Sequence, residues 1–379
     1  MALAHLWLTT CGTALAAVVM GYMLAAATAL RVRRAPQPPG LVSAPPTTIL
    51  KPLCGAEPGL YEHLRSFCEQ HCDDLQIIFG VRDRDDPALG AVRRLQHEFP
   101  HLDLQIAANP AQHGSSRKVS NLVNMMPLVR HDYLVIADGD VRVGPGYLAR
   151  VIAPLLDPRV GIVTCLYRGS PRPGLWSLLG SMFINEWFMP AVRVAALFGS
   201  RSFAFGATIA VRGETLSRIG GFTSIADQLP DDYRLGELTR RMGLRTVLSE
   251  VEVETCVEET GPGELLRHEL RWLRTIRTVQ PLGYALACAT IGLPAVVLGC
   301  LLAGGSGMTL AMVAITALAR LMINSAPRKP LNPVAKLGLV ALNDVLVFAL
   351  WCWSFTTRHV HWRQARYRVA RDGTAQEIP

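Results

Sequence analysis

The N-terminal residues 6–30 form one apolar stretch without a charged side chain. A helix of about 20 such residues crosses the hydrocarbon core of a bilayer, so the stretch predicts an uncleaved membrane anchor. A secretory signal peptide is the competing interpretation, but the run is too long, and the basic residues Arg31, Arg33 and Arg34 follow it instead of preceding it. Because basic residues beside a span are retained on the cytoplasmic side, the rest of the chain is expected in the cytoplasm.

Composition agrees with a membrane protein. Half of the 379 residues are hydrophobic, which is more than an ordinary soluble enzyme carries. The net charge of +8 would suit nucleic acid, but the surplus lies beside apolar segments, above all in residues 358–371. This placement predicts anionic lipid headgroups as the partner, and no nucleic acid. Cys68 and Cys72 have no second pair to complete a zinc site, and they are expected to be free thiols in a reducing cytosol.

Short β-branched or apolar runs alternate with segments of helical periodicity in the middle of the chain. The predicted strands are residues 47–50, 75–81, 102–107, 133–137 and 161–166, and the predicted helices are 60–69 and 88–98. This alternation is typical of a mostly parallel sheet with flanking helices. The sequence therefore predicts an α/β fold for this part of the chain.

Three further apolar segments bear on the membrane topology. Residues 281–319 are uncharged and too long for one span, and the glycine-rich turn at 304–307 predicts a hairpin of two membrane helices. Residues 334–355 carry lysine, asparagine and aspartate side chains, so this segment is expected to lie in the interface or to re-enter instead of crossing cleanly. Residues 176–198 could form a core helix, an interfacial helix or a lid, and the interfacial helix is favoured.

The expected organisation has five parts. They are a transmembrane anchor, a proline-rich linker, a folded cytosolic domain, membrane segments and a basic cytosolic tail. Their predicted boundaries are residues 1–34, 35–46, 47–280, 281–355 and 356–379. The linker follows from its prolines, which cannot continue a helix.

Acidic side chains follow two of the predicted strands. Asp83 comes after the strand 75–81, at the edge of a doubly wound sheet where ligands bind, so it is a candidate for contacts with the base or ribose of a nucleotide. An ordinary turn explains it equally well. Asp138 and Asp140 follow the strand 133–137 and can converge on Mg²⁺ or Mn²⁺ that bridges to a diphosphate. An acidic loop without a metal is the alternative.

Two more segments offer polar groups for a phosphorylated ligand. Lys118 and Asn121 supply a cation and an amide for phosphate or ribose contacts, although an exposed basic helix start would look the same. Asp232 lies where a helix is predicted to begin, a position at which aspartate ordinarily caps the helix. As a functional residue it would be a general base, with neighbouring carboxylates helping to keep it able to accept a proton.

Arg271 and Trp272 lie just before the second apolar region. Arginine and tryptophan are expected there as anchors at the membrane interface. The alternative is that Arg271 contacts a diphosphate and Trp272 lines the mouth of a site for a second substrate. Both roles are compatible with this position in the chain.

The acidic positions and the Arg-Trp pair together resemble a known signature. Their order and approximate spacing are similar to the D, D, D, (Q/R)xxRW pattern of membrane glycosyltransferases with the GT-A fold. Segments 50–57, 83–87, 118–121, 362–368 and 373–377 further resemble ceramide glucosyltransferases, which form glycosyltransferase family 21. The likeness extends from residue 47 to the end of the chain. One departure is His268, which stands where the signature has Gln or Arg and whose charge depends on pH.

Within that family, segments 114–122 and 268–277 are most similar to the bacterial hopanoid biosynthesis-associated branch. The resemblance implies an inverting transfer of N-acetylglucosamine from UDP-N-acetylglucosamine to bacteriohopanetetrol. The protein would be a multi-pass protein of the bacterial inner membrane, with its catalytic domain facing the cytoplasm. Asp232 would deprotonate the lipid hydroxyl, and Mg²⁺ or Mn²⁺ at Asp138 and Asp140 would stabilise the departing UDP. The donor-binding residues would be Asp83, Lys118, Asn121, Asp138, His268, Arg271 and Trp272.

Other functions stay open at this point. A ceramide glucosyltransferase that uses UDP-glucose would differ only in pocket residues that the sequence does not locate. A membrane protein that binds a nucleotide sugar or a lipid without catalysis could use the same fold, but it would not need a general base at Asp232. A small transporter is the most remote of these alternatives, because the chain has few membrane spans and a large soluble part.

Overall fold

The computed structural model describes residues 2–31, 43–200, 203–324, 333–357, 359–362, 365–370 and 373–378. The chain divides into a sheet unit, residues 34–170, 201–258 and 365–379, and a helical unit, residues 1–33, 171–200 and 259–364. The predicted domain 47–280 and the predicted tail 356–379 therefore each contribute to both units. Arg33, Arg34 and most of the predicted linker lie outside the described residues.

The five predicted strands are present in the sheet unit, together with three that the sequence analysis did not identify. The strands are β1 (Thr47–Pro52), β2 (Leu75–Val81), β3 (Asp103–Ala108), β4 (Tyr133–Ala137), β5 (Val141–Arg142), β6 (Val160–Pro171), β7 (Thr208–Arg212) and β8 (Arg245–Val257). Among the described residues these eight form one sheet in the order β3-β2-β1-β4-β7-β6-β8-β5.

The α/β fold class is confirmed, and the sheet is mixed. β1 pairs in parallel with β2 and β4, and β2 pairs in parallel with β3. The predicted parallel arrangement thus holds for these four strands. β7 runs antiparallel to β4 and β6, and β5 runs antiparallel to β8. Each of these antiparallel pairs therefore includes a strand that was not predicted.

Helices flank the sheet and make up most of the helical unit. In chain order they are α1 (Ala2–Ala29), α2 (Leu60–Cys68), α3 (Leu89–Glu98), α4 (Arg117–Met125), α5 (Tyr147–Ile152), α6 (Leu175–Met182), α7 (Met189–Leu197), α8 (Gly213–Arg218), α9 (Asp231–Arg241), α10 (Pro262–Val279), α11 (Pro281–Leu286), α12 (Gly292–Leu302), α13 (Gly307–Ile323) and α14 (Pro333–Ser354). Short strands near the C-terminus are β9 (His359–Trp362), β10 (Ala365–Val369) and β11 (Ala375–Ile378).

The register of the parallel strands determines where the polar loops lie. Pro52 at the end of β1 is level with Gly80 of β2, and Leu50 is level with Ile136 of β4. The loops after these strands therefore leave the sheet at the same edge, which is where doubly wound folds bind ligands. On one face of the sheet, α4 and α9 bury Val119, Leu122 and Leu235 against the strands. This packing holds the first turns of α4 and α9 at fixed positions in the sheet unit.

Apolar helices dominate the helical unit. Within the described residues, two helices are long and apolar enough to cross a membrane, Ala2–Ala29 and Val334–Ser354. The pair Pro281–Thr290 and Gly292–Leu302 is bent by 80° at its break and would be a third if it forms one span. The predicted turn is present, since Gly304 and Gly305 have φ angles of 74° and 71° between α12 and α13. The first arm of the predicted hairpin is thus a broken helix.

Three charged residues of the apolar helices, Glu186, Arg320 and Asp344, are buried inside the helical unit. Asp344 of α14 pairs with Arg320 of α13 at 2.6 Å, and Arg320 also lies 3.3 Å from Glu186. Glu186 belongs to a π-helical turn between α6 and α7. The segment 176–198 therefore packs within this unit through its middle. Since α14 is continuous and its Asn343 and Asp344 are buried, these side chains do not oppose a crossing of the membrane.

Candidate active site

The sheet edge beyond β1, β2 and β4 carries the paired carboxylates. Asp138 is the first residue after β4, and its N–H donates to the Ala207 carbonyl at 3.2 Å. The Val141 N–H donates back to the Asp138 carbonyl at 3.3 Å, and Asp140 leads directly into β5. The two predicted metal ligands therefore lie on one tight turn at the end of a buried strand.

Lys118 forms an ion pair with the first of these carboxylates. Its Nζ lies 2.5 Å from Asp138 Oδ1. Lys118 is the second residue of α4, whose first turn is capped by the Ser116 hydroxyl. Burial disfavours the charged amine, but the carboxylates of Asp138 and Asp231 outweigh it and raise the pKa of Lys118 above its ordinary range. The lysine therefore stays cationic among its acidic neighbours.

Lys51 supports the same turn from inside the sheet. This lysine of β1 is fully buried, and its Nζ donates to the Asp138 carbonyl at 2.5 Å. The Nζ also lies 3.9 Å from the centre of the Phe67 ring, a cation–π arrangement. Burial lowers the pKa of Lys51 to about 7, although Asp138 and Asp140 act in the opposite direction. A buried amine thus holds the backbone from which Asp138 projects.

The second carboxylate is also held by the sheet. The Thr255 hydroxyl of β8 donates to Asp140 Oδ2 at 2.5 Å. Burial first, and then the charge of Asp138, raise the pKa of Asp140. A buried carboxylate whose ionised form is disfavoured by a neighbouring charge is stabilised when a cation lies beside it.

The carboxylates of this turn fit a hard divalent cation that takes only one or two of its ligands from the protein. Among the described residues there is no group of three or more His, Cys, Asp or Glu side chains that could hold a metal by themselves. Mg²⁺ is commonly held by one or two carboxylates, with the other ligands supplied by substrate phosphates and water. Asp138 and Asp140 match that mode, with Lys118 already in contact with one oxygen of Asp138.

Asp232 lies at the start of α9 with both carboxylate oxygens fixed by backbone donors. The Gly206 N–H donates to Oδ2 at 2.7 Å, and the Tyr233 N–H donates to Oδ1 at 2.7 Å. Burial, and then the charge of Asp231, raise the pKa of Asp232 to about 6, while Lys118 lowers it. Such a carboxylate is ionised at neutral pH and is a stronger base than an ordinary aspartate.

Gly206 keeps open a small space beside this base. A methyl group at Gly206 would lie 3.3 Å from Asp232 Oδ2 and 3.5 Å from Lys118 Nζ. The carboxylate and the ammonium therefore border the same space. The structure thus brings together four of the acidic and basic residues of the sheet unit, which are Lys118, Asp138, Asp140 and Asp232.

The other two predicted residues of the sheet unit have different surroundings. Asp83 is exposed, and its Oδ1 accepts from the Asp85 N–H at 3.0 Å, as in an ordinary aspartate turn. Asn121 donates to the Gly80 carbonyl at 2.8 Å, and its Oδ1 is buried without a hydrogen bond. Asn121 therefore holds the end of β2 just before Asp83. For both residues a nucleotide contact stays a prediction.

The loop that leads to Asp232 is held by the C-terminal residues. The Ala375 N–H donates to the Asp227 carbonyl at 2.8 Å, and the Leu229 N–H donates to the Gly373 carbonyl at 3.1 Å. On its other side, Asp227 Oδ1 accepts from the Ser115 N–H at 2.8 Å. The start of α9 is therefore tied both to the C-terminus and to the segment before α4.

His268, Arg271 and Trp272 lie in the helical unit, on α10. His268 Nδ1 is 2.5 Å from Glu259 Oε1, and the His268 and Trp272 rings meet at 80° with centroids 5.3 Å apart. Trp272 also contacts Phe183 and Phe188 of the same unit. The residue at the unusual first position of the signature is thus engaged by a carboxylate.

Several residues of the site were missed by the sequence analysis. Lys51 stands in the apolar run of β1, where a lone lysine between buried residues was the available signal. Thr255 belongs to β8, and the alternation of apolar and polar residues along β8 is the signal for a strand there. Gly206 had no signal in the sequence, because the residue it contacts, Asp232, is distant in the chain. Glu259 had none either, because a turn separates it from its partner His268.

The chain matches a known protein family along almost its whole length. The model of the family described as Glycosyl transferase family 21 matches residues 11–375. Ceramide glucosyltransferase 1 of Caenorhabditis elegans is 21% identical over 206 residues, which are 54% of this chain and 44% of that protein. Ceramide glucosyltransferase of Komagataella phaffii is 32% identical over 112 residues, 28% of this chain and 22% of that protein. The matched part spans less than half the length of these two relatives.

A solved structure is similar in fold. The mannosyltransferase PcManGT from Pyrobaculum calidifontis, in complex with GDP-Man and Mn²⁺, gives a TM-score of 0.54 at 20% identity, over 92% of this chain and 96% of that chain. At this level of identity the likeness concerns the fold. It agrees with a GT-A arrangement of the mixed sheet and its helices.

Proposed function

The chain belongs to glycosyl transferase family 21, and from that membership we propose that it transfers a sugar from a nucleoside diphosphate donor to a hydroxyl group of a membrane lipid. The observation that carries the proposal is the position of Asp232. A carboxylate with a pKa of about 6 lies next to the cation Lys118, which in turn pairs with Asp138. A base and a diphosphate-binding region are thereby adjacent.

Asp232 is proposed as the general base. It accepts the proton of the lipid hydroxyl while that oxygen attacks the anomeric carbon of the sugar, and the bond from this carbon to the diphosphate oxygen breaks. The configuration at the anomeric carbon is inverted. The N–H groups of Gly206 and Tyr233 hold the carboxylate by one lone pair on each oxygen, so that further lone pairs stay available for the incoming proton.

The leaving diphosphate requires positive charge. Lys118 is proposed to bind it, since its ammonium is held at the edge of the same space as Asp232. Asp138 and Asp140 would hold a divalent cation, which would supply further positive charge for the diphosphate. Lys51 is proposed to hold the Asp138 turn in place. Asp83, Asn121, His268, Arg271 and Trp272 remain proposed donor-binding residues.

The proposed substrates are UDP-N-acetylglucosamine and bacteriohopanetetrol. Support for this choice is the similarity of segments 114–122 and 268–277 to the hopanoid branch. The second candidate is transfer of glucose from UDP-glucose to ceramide, which is favoured by the names of the two curated relatives. Both pairs use the same base and the same diphosphate region.

We further propose that the protein is a multi-pass protein of the bacterial inner membrane, with the sheet unit in the cytoplasm. The two apolar helices of sufficient length and the basic residues after α1 support this. The proposed domain boundaries are those given by the sequence. Protease digestion of right-side-out and inverted vesicles tests the orientation, because the proposal expects cleavage within residues 47–170 only in inverted vesicles.

The activity is tested in membranes that lack both lipid products. Each donor, labelled in the sugar, is offered with each lipid to the wild type, to Asp232→Asn and to Asp73→Asn, an exposed aspartate of the sheet unit that serves as a control. We expect wild type and Asp73→Asn to form one glycolipid, and Asp232→Asn to lose about 100-fold or more of the rate.

Two outcomes separate the candidates. Transfer of glucose to ceramide alone would replace the first substrate pair and keep the mechanism. Donor binding without transfer to either lipid, in wild type and variant alike, would instead indicate a protein that binds nucleotide sugars without catalysis.

A further inference from the structure

The hairpin formed by β10 and β11 is far along the chain from the proposed base, Asp232, but it contacts the loop that leads to this residue. β10 and β11 pair antiparallel, with Val369 level with Ala375. The hairpin belongs to the sheet unit, and so does the loop of residues 226–230, which is named the base loop. The transfer step described above assigns no role to the hairpin.

Two backbone hydrogen bonds join the hairpin to the base loop. The Ala375 N–H donates to the Asp227 carbonyl at 2.8 Å, and the Leu229 N–H donates to the Gly373 carbonyl at 3.1 Å. Between these two bonds the segments form an antiparallel β-bridge. The base loop therefore pairs with the hairpin as two neighbouring strands do.

A glycine allows this close approach. The φ angle of Gly373 is 87°, in the left-handed region that favours glycine. A methyl group at this position would lie 2.8 Å from Gln228 Oε1 and 3.2 Å from Pro230 Cγ. Pro230 immediately precedes α9, and its ring is rigid. A side chain at position 373 would therefore press on the residue from which α9 begins.

The first turn of α9 depends on such outside contacts. Pro230 stands at the N-cap position and has no side-chain oxygen with which to cap the helix. Helix ends fray unless other groups hold them. Leu235, about one turn further along, is buried in the core of the sheet unit. Asp232 lies between this buried leucine and the base loop, so both bear on its position.

The segment before α4 holds the base loop as well. The Ser116 N–H donates to the Ala226 carbonyl at 2.8 Å, and the Ser115 N–H donates to Asp227 Oδ1 at 2.8 Å. Ser116 also caps α4, whose second residue is Lys118. The base loop is thus bonded both to the hairpin and to the start of the helix that carries the proposed diphosphate-binding lysine.

On the basis of the function proposed above, we infer that Gly373 is a positioning residue for the general base. Through Gly373 the β10–β11 hairpin holds the base loop, and the base loop holds the first turn of α9, which carries Asp232. The position matters because a general base acts over a hydrogen-bond distance of about 3 Å. A displacement of about 1 Å can lower a rate about 100-fold. The hairpin thus contributes to the rate through Asp232.

The test compares three variants with the wild type, each as the full chain in nanodiscs. Ala375→Pro removes the N–H that is bonded to Asp227, at the first residue of β11, where proline is tolerated in a strand. Gly373→Ala crowds Pro230. Gly243→Ala is the matched control, since Gly243 has a φ angle of 79° and, apart from its chain neighbours, a methyl group there would have no described atom within 4 Å.

Two measurements are made on each protein. Hydrogen–deuterium exchange, which needs no sugar transfer, is followed in residues 226–234 and, for comparison, in the central strand β4. The first segment includes the Tyr233 N–H that donates to Asp232. Steady-state rates then give kcat and the KM for the sugar donor separately, because displacement of the base lowers kcat without weakening donor binding.

We expect Ala375→Pro and Gly373→Ala to exchange about 10-fold faster in residues 226–234, with β4 unchanged. Their kcat should fall about 10-fold or more, while the donor KM stays within about twofold of the wild type. Gly243→Ala should match the wild type in both measurements, although its backbone is strained in the same way.

Three results would overturn the inference. Unchanged exchange in residues 226–234 is expected if the buried Leu235 alone fixes the start of α9. Faster exchange with the kcat of the wild type would show that the hairpin does not position the base. Equally faster exchange in β4 would show that the hairpin supports the whole sheet. A wild type that transfers no sugar, with exchange as expected, would instead overturn the proposed function and support the hold of the hairpin on the base loop.

Discussion

The Lys118 ammonium lies 2.5 Å from the Asp138 carboxylate, although the two residues are on different elements, α4 and the end of β4. The pair lies beside Asp232, whose pKa is raised by burial and lowered by Lys118. Lys118 is thus linked both to a proposed metal ligand and to the proposed base.

The first prediction is the pH dependence of sugar transfer. Only the ionised Asp232 accepts a proton, and its pKa is about 6. Above pH 6, the titration of Asp232 should leave kcat/KM unchanged. Well below pH 6, we expect kcat/KM to fall tenfold per pH unit. Initial rates measured across the range provide the check. A rate that stays flat through pH 6 and falls only near pH 4 would indicate an ordinary carboxylate.

The second prediction concerns the loss of the Lys118 charge. In Lys118→Met the carboxylates of Asp138 and Asp231 lose their cation, and Asp232 loses the positive charge that lowers its pKa. We expect the acidic limb of the pH–rate profile to move up by about one unit and the KM for the donor to rise. Lys118→Arg, which keeps the charge, should leave the limb near its original position. If the acidic limb lay at the same pH in Lys118→Met and Lys118→Arg, the charge of Lys118 would not act on Asp232.

The third prediction concerns the stability contributed by Lys51. Its pKa falls from 10.5 to about 7 on folding, so the unfolded state binds more protons between these values and the free energy of unfolding rises with pH in this window. We expect the free energy of unfolding of Lys51→Met to change less with pH between 7 and 10 than that of the wild type. Chemical unfolding at several pH values measures this. Parallel curves for both proteins would show that the amine is not buried.

The fourth prediction concerns the crossing of α1 and α12. A methyl group at Gly12 would lie 2.6 Å from the Ala303 nitrogen and 2.6 Å from the Gly299 carbonyl oxygen, whereas one at Gly21 of the same helix would have nothing within 4 Å. Small residues allow such close approach between apolar helices. We expect Gly12→Ala to destabilise the protein by about 1–3 kcal/mol.

Gly21→Ala is the matched control for this change. It gains helix propensity without a clash, so it should leave stability equal or raise it by about 1 kcal/mol. Thermal unfolding in one detergent compares the two variants. Equal midpoints would mean that α1 and α12 do not approach each other through Gly12.

Much of the sheet unit was predictable because its signals are local. The strand before Asp138 is a run of apolar residues. The residues around Asp232 have the pattern of a helix start. The pairing of β7 with β4 and β6 joins segments that are distant in sequence, so no local pattern reveals it. Lys51 was missed for a related reason, since its burial depends on β2 and β4 on either side of β1.

The apolar segments, the five predicted strands and the turn that carries Asp138 and Asp140 follow from local sequence, because each depends on neighbouring residues. The contact of Lys118 with Asp138, the hydrogen bond from Gly206 to Asp232 and the pairing of Glu259 with His268 arise only in the folded chain. Proton affinity depends on burial and on the distance to other charges. Those quantities exist only once segments far apart in the chain have packed together.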